Sequence, residues 1–164
     1  FCEGFGVLQN PFFNYLPLNG TKGELITIHA PDLKLNQIIK SAVFVIPLGH
    51  DLYSVGSTYA WDDKTGLPTA GAREELESKL KRFITCNYKV VKHVAGIRPT
   101  VKDRRPLVGQ HPKHEHLYIL NGLGTRGVLI GPYVALHLFN AIYKNRPLKS
   151  ELSIDRFSAL YQDL

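Results

Sequence analysis

Two features between residues 94 and 132 combine residue types and spacing that could do chemistry. Arg98 stands on an apolar strand directly before Pro99, where a planar, permanently charged guanidinium can hold a carboxylate through two charge-assisted hydrogen bonds. The second feature is the segment 122–127, G-L-G-T-R-G, which follows a short apolar strand and opens a helix. Glycines let the backbone approach a ligand closely, and a helix start offers unpaired N–H groups with partial positive charge. The sequence therefore predicts an arginine that holds an anion and a helix dipole directed at a ligand.

The spacing of Gly122, Gly124 and Gly127 has the G-x-G-x-x-G form of a dinucleotide-binding fingerprint. In that fold, an acidic residue about 20 positions further along the chain holds a ribose hydroxyl. No Asp or Glu occurs between Glu115 and Glu151, and too little sequence follows to complete such a fold. The pattern thus argues against a self-contained dinucleotide domain. It leaves open that these glycines serve only the turn from strand to helix.

The elements that must position these features follow an α+β pattern, in which helices pack on a mixed, mostly antiparallel sheet. Alternating apolar residues and turn signals predict strands over 23–30, 38–39, 43–48, 52–59, 88–97, 105–110 and 117–121. Helical spacing and capping residues predict helices over 71–84, 128–143 and 154–162. The first six residues are expected to end a strand. Pro132 is expected either in the first turn of its helix or at a kink.

Composition and charge narrow the class of protein. The 164 residues allow one domain with its own core, and 44% hydrophobic and 21% charged residues are ordinary for a globular protein. The net charge of +6 comes from scattered basic residues, which argues against a nucleic-acid partner. No apolar run is long enough to span a bilayer.

Cysteine and histidine give no signal for a metal site. Cys2 and Cys86 make no disulfide framework and lack metal-ligand spacing, so reduced thiols and a cytoplasmic location are expected. His111, His114 and His116 occupy a polar stretch that is predicted to be an exposed loop. No metal is therefore predicted.

A family resemblance is carried by two segments, A-G-I-R-P-T-V-K-D-R-R-P-L-V-G-Q-H-P (95–112) and L-Y-I-L-N-G-L-G-T-R-G-V-L-I-G-P (117–132). They resemble the C-terminal half of FAD-dependent amine oxidoreductases, the family of glycine oxidase, D-amino acid oxidase and sarcosine oxidase. Residues 20–25 and 43–61 fit the same pattern, in order and at suitable spacing. The resemblance covers nearly the whole chain and is specific as a set.

The family places its FAD-binding half, with its own glycine fingerprint, N-terminal to this region. The resemblance therefore implies a substrate-binding domain over residues 21–112. Residues 1–20 would be the end of the missing FAD-binding half with a linker. Residues 113–164 would be the strand, loop and helix that complete the FAD domain, followed by a C-terminal helix.

The resemblance also implies roles at the site. Arg98 would grip the substrate carboxylate, and the α-hydrogen of an amine or amino acid would pass as hydride to FAD, leaving an imine that hydrolyses. FAD belongs to the full-length protein, and this piece alone is not expected to retain it. The segment expected to face the pyrimidine edge of the flavin comprises Gly122, Leu123, Gly124, Thr125, Arg126, Gly127 and Val128.

Two positions depart from glycine oxidases. Phe44 stands where they often place a tyrosine, and Arg126 lies one residue after the position, here Thr125, at which they place an arginine. With Arg98, Phe44 and Arg126 complete the expected substrate-binding set. The departures leave the flavin chemistry intact and the substrate open.

Several alternatives remain open at this point. The flavin domain of a bifunctional tRNA wobble-uridine modification enzyme resembles the same motifs, and a non-catalytic binding module could keep the fold without flavin. Arg98 could instead pair structurally with Asp103 or a backbone carbonyl. Lys22 resembles a family position near the flavin, although a surface or turn role is equally open. Tyr59 and Trp61 are expected to pack in a core or a domain interface.

Overall fold

A computed structural model describes residues 1–162. The chain forms two compact units, which we call the central unit (residues 21–97) and the end unit (residues 1–20 and 98 onward). The assignment of 21–112 as a substrate-binding domain and of 113–164 as part of an FAD domain stays a prediction. By its packing, the stretch 98–112 is part of the end unit.

The central unit is built on a five-stranded sheet with the strand order β2-β3-β4-β1-β5. Its strands are β1 (Thr21–His29), β2 (Ile39–Lys40), β3 (Phe44–Gly49), β4 (Leu52–Gly56) and β5 (Lys89–Arg98). The pairs β1/β4, β3/β4 and β2/β3 are antiparallel. Ile26, Val55 and Val45 lie side by side across three strands and are buried, because alternate residues of each strand face the core.

One helix, α1 (Ala70–Leu80), covers that buried face of the sheet. Thr69 caps its start, since the hydroxyl oxygen accepts a hydrogen bond from the Ala72 amide at 3.3 Å. Leu76 and Leu80, one turn apart, are fully buried against the sheet. The helix thus closes the core of the central unit on one side.

The end unit is built on a hairpin of β6 (Leu107–His111) and β7 (His114–Asn121). Leu107 and Ile119 belong to a core cluster with the N-terminal segment and Ile154. Val108 belongs to a second cluster with Val134 of the helix α2 (Gly127–Lys144). Short helical turns at Gly4–Gln9, Gly124–Arg126 and Ile154–Phe157, and helix α3 (Ser158–Gln162), complete the unit.

The α+β class with an antiparallel sheet is confirmed, and two local expectations need correction. Residues Gly4–Gln9 form a 3-10 helix instead of a strand end, although Phe1 pairs along β7 through hydrogen bonds of 2.6 and 3.0 Å. His111 is buried at the end of β6 and β7 already begins at His114, so the histidine stretch is a tight hairpin instead of a loop, in which His114 and His116 are exposed as expected. Pro132 lies inside α2, beyond its first turn, so of its two expected places the kink stays a prediction. No helix among residues 1–162 is long and apolar enough to cross a membrane.

Candidate functional site

The segment 99–106, which we call the return segment, joins β5 to β6 and contacts the glycine loop (residues 122–127). The Gly124 amide donates a hydrogen bond to the Pro99 carbonyl at 3.0 Å. The Arg98 carbonyl accepts from the Thr100 amide at 2.9 Å, a tight turn centred on Pro99. Arg98 is the half-buried last residue of β5. The backbone that carries Arg98 therefore lies one residue from a direct contact with the glycine loop.

Gly122 is needed for packing inside the protein. Its φ of 70° lies in the left-handed region, and a Cβ there would come within 2.7 Å of Val101 Cγ2 and 3.0 Å of Leu107 Cγ. Val101 belongs to the return segment, and Leu107 is the first residue of β6 directly after it. Close packing thus gives Gly122 a structural role, and its place at a flavin stays a prediction.

The remainder of the loop is accessible. Leu123, Gly124 and Gly127 are half-buried, whereas Thr125 and Arg126 are exposed and Val128 is 99% exposed. Helix α2 begins at Gly127 with no side-chain cap and no acidic residue in its first turn. Its positive N-terminal end is thus offered to a ligand without competition from a carboxylate of its own.

Arg126 is tied to the return segment. Its Nη2 donates to the Arg104 carbonyl at 3.2 Å, and its side chain is exposed. Asp103, which the sequence left open as a partner of Arg98, has its carboxylate 2.9 Å from Arg156 Nε. The two expected substrate-binding arginines, Arg98 and Arg126, therefore border the same return segment.

Phe44, the third expected substrate contact, belongs to the central unit. It is the first residue of β3 and lies across from Gly56, whose other neighbour is Leu25. The side chains of Phe44 and Leu25 cover Gly56, since a Cβ there would meet Leu25 Cδ2 and would lie 3.0 Å from Phe44 Cζ. The adjacent residue Val45 faces the α1 core, so Phe44 lies on the opposite face of the sheet. That face is apolar at this point.

Lys22 has a role that sequence reasoning missed. It is buried, with 1% of its surface exposed, and its Nζ lies 2.5 Å from Asp63 Oδ2 and 2.5 Å from the Leu67 carbonyl. The hydrogen bond to Asp63 raises the pKa of Lys22, and the same bond is the main cause that lowers the pKa of Asp63 to about 2. Lys22 thus fixes the loop after β4 by an ion pair in which the lysine is buried and the Asp63 side chain is 34% exposed. The sequence signal that could have revealed this burial was the alternation of β1, which places Lys22 on the same buried face of the strand as Ile26.

Glu24 of β1 extends this network to β5, which carries His93, and to the start of α1. Its carboxylate accepts from the Thr69 amide and hydroxyl at 2.9 and 3.0 Å, and lies 2.8 Å from His93 Nε2 without the alignment of a hydrogen bond. Burial alone would raise the pKa of Glu24, but the bonds from Thr69 and then Lys22 lower it. The network holds the start of α1 on β1.

The loop that Lys22 anchors carries two large exposed aromatic residues. Tyr59 is 59% and Trp61 is 55% exposed. Packing of these residues in a core, which the sequence left open, is therefore wrong for this chain.

His111 and His114 pack against each other and against aromatic residues. Their rings lie 4.6 Å apart, and His111 packs edge-on against Phe13 at 5.3 Å. Burial, with a smaller contribution from His114, lowers the pKa of His111. Among residues 1–162 no group of three or more His, Cys, Asp or Glu could hold a metal ion.

Comparison with known proteins identifies the family to which this chain belongs. The model of the DAO family, described as FAD dependent oxidoreductase, matches residues 2–141. The glycine oxidase of Bacillus subtilis is 29% identical over 134 residues, which are 77% of this chain and 36% of that protein. The tRNA 5-methylaminomethyl-2-thiouridine biosynthesis bifunctional protein of Aromatoleum aromaticum is 29% identical over 92% of this chain and 27% of its own length.

A solved structure shows the same fold. The iminodiacetate oxidase from Chelativorans sp. BNC1 superposes with a TM-score of 0.70 and 21% identity, over 93% of this chain and 45% of that protein. The chain therefore spans less than half the length of each of these proteins.

Proposed function

Because the chain belongs to the DAO family of FAD-dependent oxidoreductases, we propose that the complete protein oxidises an amine or amino acid, and that this chain supplies the substrate-binding surface. The observation that carries the proposal is the hydrogen bond from the Gly124 amide to the Pro99 carbonyl. It supports a site in which the end of the Arg98 strand and the glycine loop act together. The remaining length found in the relatives would supply the FAD-binding half.

Arg98 would hold the substrate carboxylate. The guanidinium presents a rigid fork whose geometry matches the two oxygens of a carboxylate. The tight turn at Pro99 fixes the backbone directly after Arg98, so little freedom is lost when a substrate binds. Arg126 of the same unit would add a second positive charge, and the role of Phe44 as an apolar substrate contact stays a proposal that rests on the family resemblance alone.

Residues 122–128 fit one edge of a flavin but not the whole cofactor. The uncapped N-terminus of α2 and the absence of acidic residues in its first turn suit a group that gains negative charge. FAD, when bound, would accept the electron pair of the substrate C–H bond. The positive N-terminal end of α2 would stabilise that charge by electrostatic preorganisation. The dinucleotide part would be held by the other half, so we expect this chain alone not to retain FAD.

Substitution of Arg98 tests the carboxylate role. In the flavin-loaded full-length protein, Arg98→Ala is expected to raise KM for carboxylated amines on the order of 100-fold, because the buried partner of a charge-assisted bond is lost. Amines without a carboxylate should be oxidised with unchanged KM. The measurement is flavin bleaching without oxygen over a substrate series, and Arg146→Ala, an exposed arginine of the same unit, is the control. Equal KM values for Arg98→Ala and wild type would remove the carboxylate role.

A second candidate function is oxidation within a tRNA-modifying enzyme. The similarity to the Aromatoleum aromaticum protein over 92% of this chain favours it. Binding of tRNA by the full-length protein, weakening steeply with salt, would support this function. A full-length protein without flavin absorbance would instead indicate a non-catalytic module.

The cellular setting stays a prediction. Cys2 is exposed and Cys86 is half-buried, and both are free thiols. We propose a reducing, cytoplasmic compartment, which mass spectrometry of both thiols in the protein isolated under alkylating conditions would test.

A further inference from the structure

Arg156 forms a hub in the end unit that joins the C-terminal helical turn to the return segment. Its Nε lies 2.9 Å from Asp103 Oδ2, its Nη1 donates to the Ser153 carbonyl at 2.6 Å, and its Nη2 donates to the Pro106 carbonyl at 2.8 Å. A longer contact of 3.4 Å reaches the Arg105 carbonyl. All three guanidinium nitrogens are therefore engaged. The side chain is only 19% exposed.

The part of the return segment that Arg156 grips is a turn with an unfavourable backbone conformation. The Arg104 amide donates to the Val101 carbonyl at 2.9 Å, and Arg104 has a φ of 61°. A non-glycine residue in the left-handed region costs free energy and persists when its surroundings hold it. Asp103 contributes, because its Oδ1 accepts from the Arg105 amide at 3.0 Å while its other oxygen is held by Arg156.

The same turn supports the glycine loop. Val101, its first residue, and Leu107, the first residue of β6, enclose Gly122 so closely that no Cβ would fit. Its apex provides the Arg104 carbonyl that holds Arg126. A shift of the turn would therefore move the start of α2 and the loop together.

We propose that Arg156 is a positioning residue, which sets the place of the glycine loop relative to the strand end at Arg98 by holding the return turn. Its catalytic consequence rests on the proposed function, whereas its effect on the loop does not. Arg156 acts on the glycine loop indirectly, through its hydrogen bonds to Asp103 and to the carbonyls of Arg105 and Pro106.

An arginine suits this position because three nitrogens at fixed angles bind oxygens in different directions. A lysine would keep the charge but provide only a point donor. Comparison of Arg156→Ala with Arg156→Lys therefore separates geometry from charge. Asp103→Asn keeps the fold-determining side-chain volume while it removes the charge partner, and serves as a milder second variant.

The first test is hydrogen exchange on the 164-residue chain. In Arg156→Ala, the Gly124 amide is expected to exchange about 10-fold faster than in wild type, since its acceptor Pro99 lies on the return segment. Arg156→Lys should restore only a small part of the wild-type protection of the Gly124 amide. Asp103→Asn should accelerate exchange of the same amide less than Arg156→Ala does. Arg146→Ala is the control and should match wild type. An unchanged Gly124 amide, or uniform acceleration throughout the end unit, would overturn the proposal.

The second test uses the flavin-loaded full-length protein. Arg156→Ala is expected to lower kcat/KM for a carboxylated amine about 10- to 100-fold, because displacement of reacting groups by an ångström has effects of that size. The loss should be larger for the carboxylated amine than for one without a carboxylate, and the flavin absorbance spectrum should shift. Equal loss for both substrates with an unshifted spectrum would overturn the catalytic part. A wild-type protein that binds no flavin would refute the proposed function and leave the exchange experiment decisive.

Discussion

The two long helices of the chain differ in what their outer surfaces carry. Helix α1 buries Leu76 and Leu80 and turns charged residues outward, with i,i+4 ion pairs Arg73–Glu77 and Glu75–Lys79. Helix α2 buries only Val134 completely. Its outer surface is apolar, with large exposed side chains at Leu129, Tyr133, Leu136, Phe139 and Tyr143.

The difference shows that α1 turns its apolar side to a core, whereas α2 leaves large apolar side chains exposed. These residues of α2 recur every three or four positions, so they form one continuous stripe along the helix. Contiguous apolar surface of this kind marks a place of interaction. On the proposed function, we expect the remaining length of the complete protein to cover the stripe.

The largest effect is expected in the core of the central unit. Leu76→Ala removes a fully buried side chain and should lower the free energy of unfolding by about 2–5 kcal/mol. Urea denaturation followed by circular dichroism measures the loss. Glu74→Ala on the exposed side of the same helix is the control and should stay within about 0.5 kcal/mol of wild type. A small loss for Leu76→Ala would mean that α1 does not close this core.

The ion pair between the buried Lys22 and Asp63 gives the next effect. Lys22→Met leaves Asp63 Oδ2 and the Leu67 carbonyl without the lysine donor, while Asp63 Oδ1 keeps its bonds from Thr65. The melting temperature should fall by roughly 10 °C at pH 7. Pairing lowers the pKa of Asp63 from 3.8 to about 2, so its contribution is present above pH 4 and is lost as the pH falls toward 2. The melting temperatures of wild type and Lys22→Met should therefore converge at low pH.

The control for that substitution is Lys40→Met, an exposed lysine on β2 of the same sheet, which should melt like wild type. A constant difference between wild type and Lys22→Met from pH 7 to pH 2 would contradict the pairing with Asp63.

In the end unit we expect a smaller effect, a dependence of the stability of the β6–β7 hairpin on pH. Burial lowers the pKa of His111 below its ordinary value of 6.5, so the folded state favours the neutral ring. The stability that this provides is present above pH 6.5 and decreases as the pH falls through that value, because the unfolded chain then binds the proton more readily. Amide exchange of the β6–β7 hairpin at pH 7.5 and pH 5.5 measures it. His111→Phe should flatten the difference; a dependence as steep as in wild type would assign the titration to another group.

The smallest effect in this chain is expected on the α2 stripe, and it sharpens the comparison of the two helices. Leu136→Ala should change the free energy of unfolding by less than about 0.5 kcal/mol, because its side chain is already 57% exposed. Val134→Ala, two residues earlier and buried, should cost about 2 kcal/mol. In the full-length protein, Leu136→Ala should become as costly as Val134→Ala. If it remains neutral there, the stripe is not covered by the rest of the protein.

The regular elements could be predicted from local patterns. The helix predicted over 128–143 is observed at Gly127–Lys144, and the strands predicted over 43–48 and 52–59 are observed at Phe44–Gly49 and Leu52–Gly56. In these segments apolar periodicity and turn residues agree. The segment Gly4–Gln9 has no such periodicity, since two of its six residues are glycines, and its 3-10 helix follows from packing of Val7 in the core of the end unit.

The candidate site was predictable in part. Arg98, Arg126, Phe44 and the glycine loop were singled out by residue type and by a family resemblance, and their roles stay proposals. The contacts that hold them in place were not predictable. Arg156 meets Asp103 across 53 positions of sequence, and Lys22 meets Asp63 across 41. A lone lysine or arginine looks the same in sequence whether it is solvated or buried.

The sequence by itself determined the order of strands and helices and the family, because both depend on patterns of neighbouring residues. Only the tertiary structure decided that Lys22 is buried, that Asp103 belongs to Arg156, and that the outer side of α2 is left apolar and exposed. The physical reason is that burial and ion pairing depend on which distant segments meet. The contacts between distant segments are decided by the packing of the whole core, to which every segment contributes.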